Sequence, residues 1–515
     1  MPDLLPYLIS TAIPYANGEP HFGHAYERIA TDAFARFQRL DGRDVLFVTG
    51  MDEHGQKMQR TAMAHGTTPQ AFADSIAQKF DAMGEALNAR ADDVVRTTAP
   101  RHRAAATAIW QAMATRGDIY LSRYAGWYSV RDEAFFDEAE LHSDATGGKR
   151  TKEGAPVEWV EEASYFFRLS AFGERLLAHY EAHPEFITPS TYRNEIIAFV
   201  KRGLKDFSVS RTTFDWGIPV PGDPSHVMYV WVDALTNYLT ATGYPDAHAE
   251  RARFWPAAAH VIGKDITRFH AIYWPAFLMS AGIALPRQIV VHGFLFNRGE
   301  KMSKSVGNVI DPMSMAARYG VDPLRYFLLR EVIFGQDGSY TDDAIIARNN
   351  ADLANDLGNL AQRSLSMIAK NCDGRMPAMQ ALSEADTALL AGAEALLPLA
   401  RAAMANYQPH QMLMEIWKMI SQANRHFANE APWLLRKTDP ARMAHVLALT
   451  ATVLRRVALL LQPVMPATMA HLLDGLGVTA AQRNFSDYDR DVPPGTALPA
   501  PVALFPRIAE PEGAA

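Results

Sequence analysis

Apolar and polar positions follow two different periods along this chain, and the changes of period divide it. The opening run Leu4-Leu5-Pro6-Tyr7-Leu8-Ile9 is apolar throughout, as expected of a strand buried on both faces. Pro14, Asn17-Gly18 and Pro20 then interrupt regular structure. From about Gly23 to Leu40, Ile29, Ala30, Ala33, Phe34 and Phe37 recur at helical spacing. Val45-Leu46-Phe47-Val48 is a second strand, ending at Gly50-Met51-Asp52-Glu53-His54-Gly55. Strand, turn, helix, strand predicts a βαβ unit and a parallel sheet. From Arg116 to about Asp223 the pattern becomes aromatic, alternating and turn-rich, which predicts an antiparallel insertion. The α/β pattern resumes at Val227–Asp233. It continues through a strand, turn and helix in HVIGKDITRFHAIYWPAFLM and a further buried strand in QIVVHGFLF. From about Thr341 three long amphipathic segments predict a helical bundle, and the Pro-rich end reads as extended.

The predicted fold class is therefore α/β, a parallel sheet split by a small antiparallel insertion and followed by an all-α bundle. The sheet takes residues 1–115 and 224–297, with the insertion at 116–223. A loop region at 298–343 leads to the bundle at 344–490 and a tail at 491–515. A chain of 515 residues with 48% hydrophobic composition has room for two or three cored domains. The net charge of −7 argues against non-specific polyanion binding, so a nucleic-acid partner needs a local face. One cysteine, Cys372, excludes a disulfide framework and a cysteine zinc site within the chain. The first ten residues lack the basic and apolar regions of a signal peptide. The nearest approach to a membrane span, Val457–Met465, is broken by Gln462 and preceded by Arg455-Arg456. A soluble cytoplasmic protein is expected.

Candidate chemistry collects where strands end. Open parallel sheets bind ligands beyond the carboxyl ends of their strands. The turn TAIPYANGEPHFGH carries His21 and His24, which share a face at a helix start where free N–H groups suit a phosphate. Gly23 between them lets a flat ring approach the backbone. The plainer reading of the two histidines is polar caps; that of Asp52-Glu53 is a solvated turn. Gly263, Lys264 and Asp265 end another strand. The stripe Ile266, Phe269, His270, Tyr273 and Trp274 follows them, and such a stripe is more often core than pocket. Lys301-Met302-Ser303-Lys304-Ser305, bracketed by Gly299 and Gly307, reads as a loop whose two lysines can reach phosphates.

In their order along the chain, TAIPYANGEPHFGH, VTGMDEHG, MYVWVDALTNYL, HVIGKDITRFHAIYWPAFL, KMSKS, LANDLGNLAQR and ANRHFANEAPWLL resemble the methionyl-tRNA synthetases, a class I aminoacyl-tRNA synthetase family. The resemblance covers nearly the whole length. It implies a Rossmann-like catalytic domain, a connective insertion, a stem-contact region at 298–343 and an anticodon-binding bundle. It implies ATP, with Mg2+, and L-methionine as substrates of adenylation, then transfer to tRNA(Met), the initiator tRNA included. By this resemblance His21, His24, Lys301 and Lys304 are catalytic. Gly23, Gly263, Asp265 and Ser303 join them around ATP. Methionine falls to Ile13, Tyr15, Asp52, Trp231, Ala234, Tyr238, Ile266, Phe269, His270 and Trp274. Asp52 is expected on the ammonium, with His270 and Tyr15 offering polar contacts to the sulfur. Asn355, Asn359 and Trp433 are expected to read the CAU anticodon. Rejecting a side chain shorter by one methylene is worth only ~1–3 kcal/mol, so hydrolytic or cyclising rejection of homocysteine is also expected.

One departure stands out. Many relatives hold zinc with cysteine pairs in the insertion, whereas the matching turn here is Tyr128-Ser129-Val130-Arg131-Asp132-Glu133. No zinc is expected, and Trp127, Tyr128, Phe135 and Phe136 would hold the turn. A monomer is expected, because the long C-terminal dimerisation module of some relatives has no counterpart. Three rival readings fit the chain less well. A leucine, isoleucine or valine enzyme would need a larger editing insertion. A non-catalytic tRNA-binding paralogue would not need both histidines and both lysines. A general nucleotidyltransferase would not need the bundle.

Overall fold

A computed structural model describes residues 6–131, 134–144, 147–297, 299–301 and 310–509. The strands of the main sheet are, in chain order, β1 (Tyr7–Ser10), β2 (Val45–Met51), β3 (Asp93–Arg96), β4 (Ile187–Thr188), β5 (Ala258–Gly263) and β6 (Gln288–His292). They lie in the order β3-β2-β1-β5-β6-β4, and every pairing is parallel. Leu8 sits opposite Leu46 on one side and Ala258 on the other, all three buried, which is why these strands read as continuous apolar runs. From β1 the chain winds outward through β2 and β3. It later restarts on the other side of β1 with β5 and β6. The reversal opens a crevice between the carboxyl ends of β1 and β5.

Helix α1 (Phe22–Leu40) starts in that crevice and buries Ile29, Ala30, Ala33, Phe34 and Phe37, the expected face. Three further helices matter to the site: α2 (Pro100–Thr115), α3 (Val230–Thr240) and α4 (Trp274–Ala281). The insertion is antiparallel: Ile119–Ser129 pairs with Glu158–Phe167, flanked by Ala134–Phe136 and Phe207–Ser208. Trp127 meets Trp159 edge to face at 5.3 Å and donates from Nε1 to Glu138 at 2.5 Å, while Tyr128 is buried with the Arg211 guanidinium 5.2 Å from its ring.

Three expectations differ from the structure. The 116–223 stretch was expected to lie outside the parallel sheet, yet β4 within it forms the sheet edge beside β6, with Ile187 opposite Ile289. Two residues carry no readable period. QIVVHGFLF was expected as one strand, but it breaks at Gly293 and continues as Leu295–Asn297 in a separate three-stranded sheet. A Cβ on Gly293 would lie 2.3 Å from the Gln336 carbonyl, so only glycine allows this crossing. Finally, no stretch was expected to approach a membrane span, yet two helical segments, Glu384–Ala405 and Pro440–Leu461, are long and apolar enough by length and composition. The second is the buried axis of the bundle. Its Arg455 donates to the carbonyls of Tyr488 and Asp487 at 2.9 and 2.6 Å, so the charge is satisfied inside protein.

The bundle meets α1 at several points, among them Arg401 on Asp41 at 2.6 Å and Phe34 edge-on to Tyr407 at 5.0 Å, and Arg325 ties the two together from inside. Arg325 is fully buried; its Nη2 donates to Asp32 of α1 at 2.6 Å and to the Pro463 carbonyl at 2.8 Å, and its Nε donates to the Val464 carbonyl at 2.9 Å. The tail runs back over the bundle. Asn350 and Ile508 exchange two hydrogen bonds of 2.9 Å, and Phe505 is buried.

Candidate active site

The crevice deepens into a cavity of about 550 Å³. One wall is the turn from Thr11 to His24, another the helix α3, a third the end of β5 with Ile266 and His270, and the last His292 to Leu295.

At the phosphate-suited end, two histidines cap α1 reciprocally. The Gly23 N–H donates to His21 Nδ1 at 3.1 Å, and the His21 N–H donates to His24 Nδ1 at 3.2 Å. The rings stack at 3.7 Å, tilted by 20°. An imidazole whose Nδ1 accepts must carry its proton on Nε2. The plain reading as caps is therefore correct, and the caps put each ring's proton on Nε2, close to a helix N-terminus. Gly23 serves a ring, as expected, but the ring is His21: a Cβ would lie 3.0 Å from its Cε1.

At the other end, Trp231 stacks face to face on Phe269 at 3.7 Å, so Trp231 and Ala234 line the cavity while Phe269 backs the indole. Trp274 is fully buried behind Tyr238, their ring centres 6.3 Å apart, and does not line the cavity. The helix carrying His270 bulges into a π-turn over Phe269–Tyr273, a distortion often found at functional sites. The His270 Nδ1–H donates to the Ile266 carbonyl at 3.0 Å, which leaves Nε2 to accept from the Tyr238 hydroxyl at 2.8 Å. Burial holds the His270 pKa down at about 4, so the ring is neutral at physiological pH. The expectation that His270 offers a donor to a sulfur is not met by this arrangement, since both nitrogens are engaged within the protein. Tyr15 accepts the Met58 N–H at 3.1 Å. Asp52 is locked to the signature turn: its N–H donates to Pro14 at 3.0 Å and its carbonyl accepts from Ala16 at 2.8 Å. Ile13, Tyr15, Asp52, Tyr238, Ile266, Gly263 and Asp265 all line the cavity.

Of the lysine loop, the Lys301 backbone pairs with Phe296, and Ser303 and Lys304 lie outside the described residues. In the bundle, Asn355 falls in a π-helical segment (Asn349–Gly358) and Asn359 begins the helix after it; Asn359 Nδ2 donates to Asn355 Oδ1 at 3.2 Å. Trp433 is 42% exposed and lies over Arg363, whose guanidinium is 5.2 Å from its ring. Arg363 follows Asn359 by one helical turn, a spacing visible in the sequence although the residue was not singled out.

Glu27 and His292 were also missed. Both line the cavity, joined Oε2 to Nε2 at 2.9 Å, with His292 Nδ1 2.8 Å from the Gly293 carbonyl. Burial opposes charge on His292, but the Glu27 carboxylate outweighs it and raises the pKa. Glu27 lies three residues beyond His24, on the same helix face, and that spacing was the available signal. Among the described residues one group has metal-ligand spacing, Asp386, His426 and Glu430. It already holds a cation, because Arg442 donates to Asp386 at 2.5 Å and to Glu430 at 2.9 Å.

Comparisons with known proteins agree with this geometry. Residues 7–365 match the family described as tRNA synthetases class I (M), and residues 376–515 match the anticodon binding domain of methionyl tRNA ligase. The chain belongs to the methionyl-tRNA synthetase family. It is 60% identical over 510 residues to the methionine–tRNA ligase of Mesorhizobium japonicum, covering 99% of both chains. It is 61% identical over 505 residues to that of Brucella suis, covering 98% of both. Its structure is similar to Mycobacterium tuberculosis methionyl-tRNA synthetase in complex with methionyl-adenylate (TM-score 0.96, 56% identity, 98% of this chain and 100% of that one). It is also similar to the apo form of that enzyme (TM-score 0.90, 52% identity, 99% and 100%).

Proposed function

We propose that this protein activates L-methionine with ATP, forming methionyl-adenylate and pyrophosphate, and then charges tRNA(Met), initiator and elongator alike. The observation that carries this reading is a single cavity with two unlike ends. One end has N–H donors on a helix start, suited to phosphate oxygens; the other has an indole, a neutral imidazole and apolar walls, suited to a thioether. The amino acid carboxylate attacks the α-phosphate in line, forming the new P–O bond as the bond to pyrophosphate breaks. A carboxylate is already a nucleophile at neutral pH, so no general base is needed. What remains is to place the reactants and to stabilise charge growing on phosphate oxygens. The Nε2–H groups of His21 and His24 do this, helped by Lys301 and Lys304 of the loop. Magnesium, if bound, would come with the ATP phosphates and neutralise part of their charge, and it would need no dedicated protein cage.

Asp52 takes the substrate ammonium. Ile13, Trp231, Ala234 and Ile266 take the side chain, with Phe269 and Trp274 acting from behind Trp231 and Tyr238. Gly263 and Asp265 end β5 where the nucleotide ribose would lie. A terminal adenosine hydroxyl of the tRNA then attacks the adenylate carbonyl and AMP leaves. The anticodon would be read by Asn355, Asn359, Arg363 and Trp433, through amide hydrogen bonds and stacking of a splayed base. Homocysteine rejection, zinc independence, a monomeric state and a cytoplasmic location belong to the same reading. Methionine-dependent ATP–pyrophosphate exchange, measured across the amino acids with Lys304→Ala as control, tests it. Exchange with methionine alone, and its loss in the variant, is expected; equal exchange with leucine or isoleucine overturns the reading.

A further inference from the structure

Three consecutive residues at the end of β2 face three different ways. Asp52 lines the cavity. Glu53 is fully buried and accepts from Arg96 Nε and Thr98 Oγ1, each at 2.5 Å. His54 turns to α3: its Nδ1–H donates to Asp233 Oδ2 at 2.6 Å. The other oxygen of Asp233 accepts from His102 Nε2 of α2 at 2.7 Å, and His102 Nδ1 meets Thr240 Oγ1 at 2.9 Å. Asp233, His54 and His102 are 1%, 2% and 0% exposed. Burial opposes the charge on Asp233, but the two imidazoles outweigh it and hold its pKa at about 2, so the carboxylate is ionised. None of the three lines the cavity.

Their neighbours do. Asp233 sits between Trp231 and Ala234, which form the apolar wall, and His54 lies two residues beyond Asp52, on the opposite wall. A buried carboxylate bridged by two N–H donors is short and directional, and much stronger than the apolar contacts around it. We propose that the His54–Asp233–His102 bridge is a positioning device that sets the separation of the two walls. It would thereby set how long a side chain the site accepts. The inference rests on the reading of this cavity as the methionine site. His54 Nε2 is buried with no hydrogen-bond partner among the described residues, with the Trp216 ring edge-on at 5.4 Å, so His54 acts in the bridge through Nδ1 alone. An amide in its place can supply that one donor.

The test compares His54→Ala with His54→Asn, whose side-chain amide places an N–H near the Nδ1 position. ATP–pyrophosphate exchange is measured with methionine and with ethionine, one methylene longer. In His54→Ala the KM for methionine should rise at least tenfold and the ethionine-to-methionine ratio of kcat/KM at least fivefold. KM for ATP should stay within twofold, and His54→Asn should restore both changed values to within about threefold of the parent. A change in KM for ATP equal to that for methionine overturns the proposal, as does an unchanged ethionine ratio or an Asn variant as impaired as the Ala variant. If His54→Ala does not fold, His102→Ala against His102→Gln gives the same comparison from the other side of Asp233. Absence of methionine-dependent exchange in the parent protein would instead refute the reading of the cavity, which keeps the two failures distinct.

Discussion

Replacing Gly23 by alanine separates the catalytic role of the signature turn from its structural one. The added Cβ would lie 3.0 Å from His21 Cε1 and 3.1 Å from Nδ1. Ordinary contact begins near 3.4 Å, so the ring must give by a few tenths of an ångström. It cannot do so freely, because it is stacked on His24 at 3.7 Å. The displacement lengthens the cap bond from Gly23 N–H, 3.1 Å in the parent, and losing a cap costs about 0.5–2 kcal/mol. Against this, alanine is favoured over glycine in a helix by up to about 1 kcal/mol. The two effects nearly cancel, so global stability should change by about 1 kcal/mol or less. Catalysis has no such compensation: a misplaced donor loses transition-state stabilisation, and since a 1 Å misplacement can cost about 100-fold, a shift of a few tenths of an ångström should lower kcat by about tenfold. The assay is methionine-dependent ATP–pyrophosphate exchange beside thermal unfolding. The expected result is kcat down at least tenfold, KM for methionine within threefold and a nearly unchanged Tm. An unchanged kcat would refute the assignment of His21 to the phosphate end.

Trp433→Ala should weaken tRNA(Met) charging at least tenfold while leaving pyrophosphate exchange within twofold, because its ring lies in the bundle; equal losses in both assays would contradict the anticodon reading. His270 predicts a pH dependence of stability. Above pH 6.5 both folded and unfolded chains hold it neutral, but between 6.5 and about 4 the unfolded chain takes up a proton that the folded chain refuses. Stability should therefore fall as pH drops through that window, by about 1.4 kcal/mol per unit and about 3 kcal/mol in all. In His270→Gln that component of the urea-unfolding curve should be absent. Arg442→Ala should destabilise the bundle by about 1.5–3 kcal/mol in denaturant titration, since it takes the guanidinium from the buried Asp386 carboxylate while Ser383 and His426 still donate to it; together the three hold its pKa far below the usual range against the effect of burial.

Much of this arrangement was legible in residue order. The parallel sheet could be read because β1, β2 and β5 are buried on both faces, and the start of α1 because Pro20 and the two histidines mark it. The walls of the cavity were reachable only through resemblance. No period says that Trp231 meets Phe269, or that Tyr238 meets His270 from another helix. Signals failed where structure is shortest or where partners are distant in sequence. The two residues of β4 carry no pattern. Gly293 breaks an apolar run because Gln336 crosses it, which no local rule foresees. Glu27 shares a helix face with His24, but its partner His292 lies 265 positions away in the sequence. Burial of Pro440–Leu461 explains how a helix with Arg455 and Arg456 can still have the length and composition of a membrane span.

A crystal structure with a non-hydrolysable methionyl-adenylate analogue tests the central claim most directly. The thioether should lie between Trp231, Ala234 and His270, the ammonium at Asp52, and the adenylate phosphate within hydrogen-bond reach of the imidazoles of His21 and His24. An analogue bound elsewhere, or bound with its phosphate at the Trp231 end, would contradict the account.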